Sequence, residues 1–151
     1  MIGAKEERME RIPERYQNPN IIAEIIRTAK VIAVVGLSPD PARPSHEVAA
    51  YMRAQGYQIV PVNPTILEVL GEKSYPSLGD IPFTVDIVDV FRQPGAVPAI
   101  AVEAVRIGAK ALWLQLGVIS LEGATIAERG GLKVVMDRCL KVDHMALAGQ
   151  L

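Results

Sequence analysis

The chain has 151 residues, half of them hydrophobic and 22% charged, with a formal net charge of −1. That length suits one α/β domain with a real core, and the near-neutral balance argues against general affinity for nucleic acid or anionic membrane. The single cysteine, Cys139, rules out an internal disulfide framework and fits a reducing cytoplasm. No apolar run approaches the ~20 residues of a membrane span.

Residues 1–18 read as a charged leader, dense in Glu and Arg as far as Tyr16 and without the apolar centre of a signal peptide. Residues 19–151 read as the domain. Asn18-Pro19 has the form of an N-cap followed by proline at the first helical position, and Ile21, Ile22, Ile25, Ile26 and Ala29 recur at helical spacing. Val31–Gly36 is the first strand. A helix follows with Ser45 as its expected N-cap and Gly56 as its left-handed stop. Tyr57–Val62 is the second strand. Thr65–Pro82 is rich in turn residues with room for one short helix.

Val85–Phe91 is the third strand, Pro94–Ile107 a helix closed by Gly108, Lys110–Leu116 the fourth strand, Leu121–Arg129 a helix and Leu132–Met136 the fifth strand. Nearly continuous apolar strands alternating with helices indicate a doubly wound, Rossmann-like parallel sheet of about five strands in three layers.

In such a sheet the ligand lies outside the carboxyl ends of the strands. Those ends carry Gly36-Leu37-Ser38 with Arg43-Pro44-Ser45, then Val62-Asn63-Pro64, Phe91-Arg92, Gln115 to Val118, and Asp137 to Cys139. A strand, a glycine, a polar loop and a helix start form a phosphate-binding turn. Gly36 takes the first glycine position of G-x-G-x-x-G, but Ser38 stands at the second. Strand two ends at Asn63, where an NAD site carries an acid for the ribose hydroxyls. NAD is therefore disfavoured, while Arg43 and Arg92 can pair with phosphates.

Other chemistry is thin. Asp86 and Asp89 point to opposite faces of a strand, so they form no carboxylate pair and are read as holding helix ends or loop N–H groups. Trp113 reads as core, and His46 as a surface residue. Cys139 and His144, with Asp137 and Asp143 nearby, match no standard zinc spacing. No nucleophile–base–orienter set is apparent, and no catalytic residue is assigned. Cys139 is a candidate redox residue, with Arg138 and Lys141 beside it to favour a thiolate.

The motifs Val34-Val35-Gly36-Leu37-Ser38, Arg43-Pro44-Ser45, Ile59 to Pro64, Asp86 to Arg92, Leu112 to Val118 and Val134 to Cys139 occur in an order that resembles the small single-domain CoA-binding proteins. These are similar in turn to the CoA-binding domain of succinyl-CoA synthetase α subunits. The resemblance spans about three quarters of the chain. It implies a cytoplasmic, nucleotide-binding domain for coenzyme A or a CoA derivative, contacted by Gly36, Leu37, Ser38, Arg43, Ser45, Val62, Asn63, Pro64, Phe91 and Arg92. It implies binding rather than catalysis by this chain alone, with neither nucleic acid nor membrane as partner and an oligomer compatible. The alternatives are a nicotinamide-dinucleotide-binding oxidoreductase or redox sensor, and the CoA-binding subunit of a two-chain acyl-CoA ligase.

Overall fold

A computed structural model describes residues 12–150. The strands are β1 (Val31–Val35), β2 (Gln58–Val62), β3 (Glu68–Val69), β4 (Glu72–Lys73), β5 (Ile87–Val90), β6 (Ala111–Leu114) and β7 (Lys133–Met136). The helices are α1 (Pro19–Thr28), α2 (Pro44–Ala54), α3 (Val97–Arg106), α4 (Leu121–Arg129) and α5 (Leu140–Leu147). Five strands form one parallel sheet in the order β2-β1-β5-β6-β7. The order reverses at β1, so the chain winds outward to β2 and then in the opposite direction from β5. This is the doubly wound, three-layer architecture.

Side chains alternate across the sheet into two apolar layers. Ala33, Val35, Val88, Val90, Leu112 and Leu114 face α3 and α4. Ile32, Val34, Ile59, Ile87, Trp113 and Val135 face α1, α2 and α5. Trp113 is fully buried and its indole N–H donates to the Arg138 carbonyl at 2.9 Å, so it is a core residue.

The packed body begins before α1. Ile12 and Tyr16 are buried, the Tyr16 hydroxyl donates to Glu128 at 2.9 Å, and Arg15 pairs with the same carboxylate. The Arg15 hydrogen bond holds the Glu128 carboxyl below its usual range.

Several expectations change. Pro44 occupies the first turn of α2, which makes Arg43 the extended cap residue; the Ser45 hydroxyl instead accepts the Ser38 N–H at 3.0 Å. Residues 65–82 hold the β3–β4 hairpin and a 3-10 turn at Leu78–Asp80 rather than a single short helix. The helix expected from Pro94 opens as a 3-10 turn before α3.

Helix α5 was not legible in the sequence. Its buried face is Leu140, Asp143 and His144, and the two polar members are covered by partners distant in sequence or across a turn. Arg138 binds Asp143, and the Tyr51 hydroxyl lies 2.8 Å from His144 Nδ1. Burial lowers the pKa of His144.

Asp86 behaves as expected of a structural acid. Its Oδ2 accepts the Lys30 and Val31 N–H groups, both at 2.9 Å, and tethers the start of β1. Burial pushes its pKa up, but those two N–H bonds and Lys110 outweigh that and leave it lowered. Asp89 departs from the expectation. Among the described residues it holds no helix end or loop N–H, and its hydrogen-bond partner is the Gln115 amide.

Candidate functional site

A cleft of about 760 Å³ opens at the carboxyl ends of β1, β5 and β6. That volume lies within the usual range of small-molecule sites, and the position is the switch point of the sheet. Three loops and two helix starts build it. The β1 loop contributes Gly36 and Ser38, α2 contributes Pro44, Ser45 and Val48, and Arg43 precedes that helix. The opposite bank is Phe91, Arg92, Gln93 and Pro94 after β5, with Gln115 to Val118 after β6 and Cys139 before α5.

Gly36 sits at φ +87° and donates its N–H to the Val62 carbonyl at 2.9 Å. A Cβ there would come within 2.5 Å of the Phe91 carbonyl oxygen. The β1 and β5 loops therefore touch backbone to backbone, and glycine is the side chain that this contact admits.

Ser38 is held from three sides. Its N–H donates to Ser45 Oγ at 3.0 Å, its hydroxyl accepts the Asp40 N–H at 3.1 Å, and its carbonyl lies 3.0 Å from His46 Nδ1. The hydroxyl, an acceptor in that turn, still has a proton to donate. The amino-terminal end of α2 faces the cleft at Pro44 and Ser45, so its dipole favours an anion there. Arg43 and Arg92 are exposed on opposite banks, and neither forms an ion pair among the described residues.

Of the residues expected at the site, Gly36, Ser38, Arg43, Ser45, Phe91 and Arg92 come together in the cleft. Four do not line it. The Leu37 side chain is fully buried and Val62 is buried at the end of β2, so each can offer only backbone. Pro64 is exposed outside the cleft. Asn63 has its side chain committed to structure. Its Nδ2 donates to the Leu37 carbonyl at 3.0 Å, while Oδ1 accepts the Thr65 N–H at 2.9 Å and hydroxyl at 2.7 Å.

The β6 loop contributes more than the site expected from the resemblance, because Gln115, Leu116, Gly117 and Val118 all face the cavity. The signal available in the sequence was their place at a strand's carboxyl end. Gly117 is left-handed (φ +82°) and donates its N–H to Asp137 Oδ1 at 2.7 Å, which ties the β6 and β7 loops together.

Cys139 lines the cleft half-buried. Its two cationic neighbours each have an acidic partner. Arg138 binds Asp143, and Lys141 pairs with Glu47 at 2.8 Å.

The profile of the family described as CoA binding domain matches residues 30–145. The chain belongs to the CoA-binding domain family. It is 45% identical to the uncharacterized protein YneT of Bacillus subtilis over 130 residues, covering 85% of this chain and 96% of that protein. It is also 29% identical to the ADP-forming acetate–CoA ligase I of Archaeoglobus fulgidus, covering 79% of this chain and 19% of the ligase. The match thus spans about a fifth of that enzyme. Among solved structures, a hypothetical protein from Pyrococcus horikoshii superposes with a TM-score of 0.87 at 38% identity, covering 91% of this chain and 97% of that one. No helix among the described residues is long and apolar enough to cross a membrane.

Proposed function

We propose that the cleft binds coenzyme A or a CoA thioester, and that this chain is a binding protein rather than a catalyst on its own. The observation that carries the reading is the placement of Arg43 and Arg92 in one cleft with the Gly36 turn after β1 and the start of α2, an anion-binding arrangement in a CoA-binding domain. Gly36 and Ser38 approach the pyrophosphate, and Arg43 takes the extra phosphate on the ribose. The nicotinamide alternative is weakened further by Asn63. It has no carboxylate, and its amide oxygen already accepts from both the Thr65 N–H and hydroxyl, so no acceptor remains there for ribose hydroxyls.

CoA is expected to raise the melting temperature more than NADP, and NADP more than NAD. At a hundredfold excess over its dissociation constant a ligand contributes about 2.7 kcal/mol, or roughly 5–10 °C for a domain of this size. A shift with NAD and none with CoA overturns the reading.

Arg43→Ala is expected to weaken CoA by roughly 1.5–3 kcal/mol, the range of a charge-assisted hydrogen bond. In calorimetric titrations the loss should shrink with dephospho-CoA, which lacks the ribose 3′-phosphate. Equal losses for both ligands would move Arg43 to the pyrophosphate.

Cys139 offers a check on location. It is the sole thiol of the chain and it lines the cleft, so saturating CoA is expected to slow its alkylation by iodoacetamide several-fold. An unchanged rate in the presence of bound CoA would place the ligand elsewhere.

A second reading, a CoA-binding subunit serving a separate ligase chain, is favoured by the match to about a fifth of a CoA ligase. It requires CoA-dependent acyl transfer that appears only when a partner chain is added.

A further inference from the structure

Asp89 lies in the middle of the sheet between Val34 of β1 and Trp113 of β6, and it is 1% exposed. Its Oδ2 is buried without a hydrogen-bond partner among the described residues. An acid in an apolar layer is costly unless something uses it. Its Oδ1 accepts from Gln115 Nε2 at 2.8 Å.

That bond has a consequence for the cleft. In its ionised form the Asp89 carboxylate can only accept, so it draws the amide nitrogen of Gln115 inward and turns the amide oxygen the other way. Gln115 is itself 3% exposed and lines the cleft. Its Oε1 is given no donor by any described residue. The molecule therefore presents a fixed, uncharged acceptor at the cleft wall, with a buried acid behind it. A phosphate is disfavoured at such a point, and a neutral N–H group is matched to it. Two strand spacings, ~10 Å, separate this wall from the phosphate turn on β1.

We propose that Gln115 determines specificity by accepting a hydrogen bond from an uncharged N–H group of the ligand, and that Asp89 is the positioning residue that fixes the direction of its amide. The proposal rests on the reading of the cleft as a coenzyme A site. CoA carries such donors in two places, the amides of its pantetheine arm and the exocyclic amine of adenine.

The test is calorimetric titration at pH 8, where Asp89 is ionised, of the purified chain with CoA, with adenosine 3′,5′-bisphosphate and with 4′-phosphopantetheine. Two variants are compared with wild type. Asp89→Leu combined with Gln115→Met removes both partners together, which avoids leaving a buried group unpaired. Asp89→Asn keeps Gln115 but lets its amide turn, and it carries the comparison if the double variant does not fold. The double variant is expected to bind CoA roughly tenfold more weakly, with the loss confined to one fragment. Asp89→Asn should show a smaller loss on that same fragment. Loss on 4′-phosphopantetheine identifies the arm amides as the donor, and loss on the bisphosphate identifies the adenine amine. Unchanged affinities, or equal losses on both fragments, overturn the assignment of Gln115 while leaving CoA binding intact. A wild-type chain that does not bind CoA overturns the reading of the cleft and this proposal with it.

Discussion

Asp89→Asn is expected to be more stable than the wild type at pH 8, and to lose the part of the pH dependence that Asp89 creates. Burial pushes the Asp89 carboxyl up to about 7, against the downward pull of the Gln115 hydrogen bond. In the unfolded chain the same group titrates near ~3.9. Between these values the folded chain holds a proton that the unfolded chain has released. The contribution of Asp89 to stability is thus fully present below about pH 4 and is lost as pH rises through about 7. A shift of about three units corresponds to on the order of 4 kcal/mol as a ceiling.

Asparagine stays neutral throughout and can still pair with Gln115. His144 works in the opposite sense, because burial lowers its pKa and its contribution is lost as pH falls. The difference between variant and wild type removes that background. Urea denaturation at pH 5 and pH 8 is the measurement. The gain should be large at pH 8 and small at pH 5. A constant difference across the two would mean that Asp89 does not titrate in this window.

Gly36→Ala is expected to destabilise the fold by more than about 2 kcal/mol and to abolish the response to CoA. Two effects add. A non-glycine residue at φ +87° is strained, and the new Cβ would meet the Phe91 carbonyl oxygen at 2.5 Å. That oxygen belongs to backbone and cannot rotate away, so relief requires the β1 and β5 loops to part. Those loops carry the proposed phosphate contacts, so stability and binding fail together. Denaturation curves with and without CoA would show both. An alanine variant with wild-type stability would contradict the tight approach of the two loops.

Much of the fold was legible because its signals are local. Apolar runs such as Val31–Val35 and Ala111–Leu114 gave away strands buried on both faces. Asn18 caps α1 with its side chain, and Gly56 and Gly108 take positive φ past the ends of α2 and α3. Gly36, Ser38, Arg43 and Arg92 could be named as site residues because the doubly wound topology sends the ends of β1 and β5 to one place.

The remainder depended on contacts between residues far apart in the chain. Helix α5 is invisible to hydrophobic periodicity because its inner face uses Asp143 and His144, and those become core-compatible only once Arg138 and Tyr51 reach them. Asn63 sits where a ligand residue belongs by position, yet Leu37 and Thr65 claim its side chain. Asp89 looked like an ordinary structural acid. Strand register alone placed it between Val34 and Trp113, where no cation among the described residues pairs with it. The sequence by itself therefore determined the five strands of the parallel sheet, helices α1 to α4 and the glycine turn that ends β1, because capping, periodicity and glycine conformation act over a few residues. Only the tertiary structure decided which polar side chains face the cleft and which are consumed by the scaffold, because desolvation and hydrogen-bond partnership are set by what the fold packs against each group.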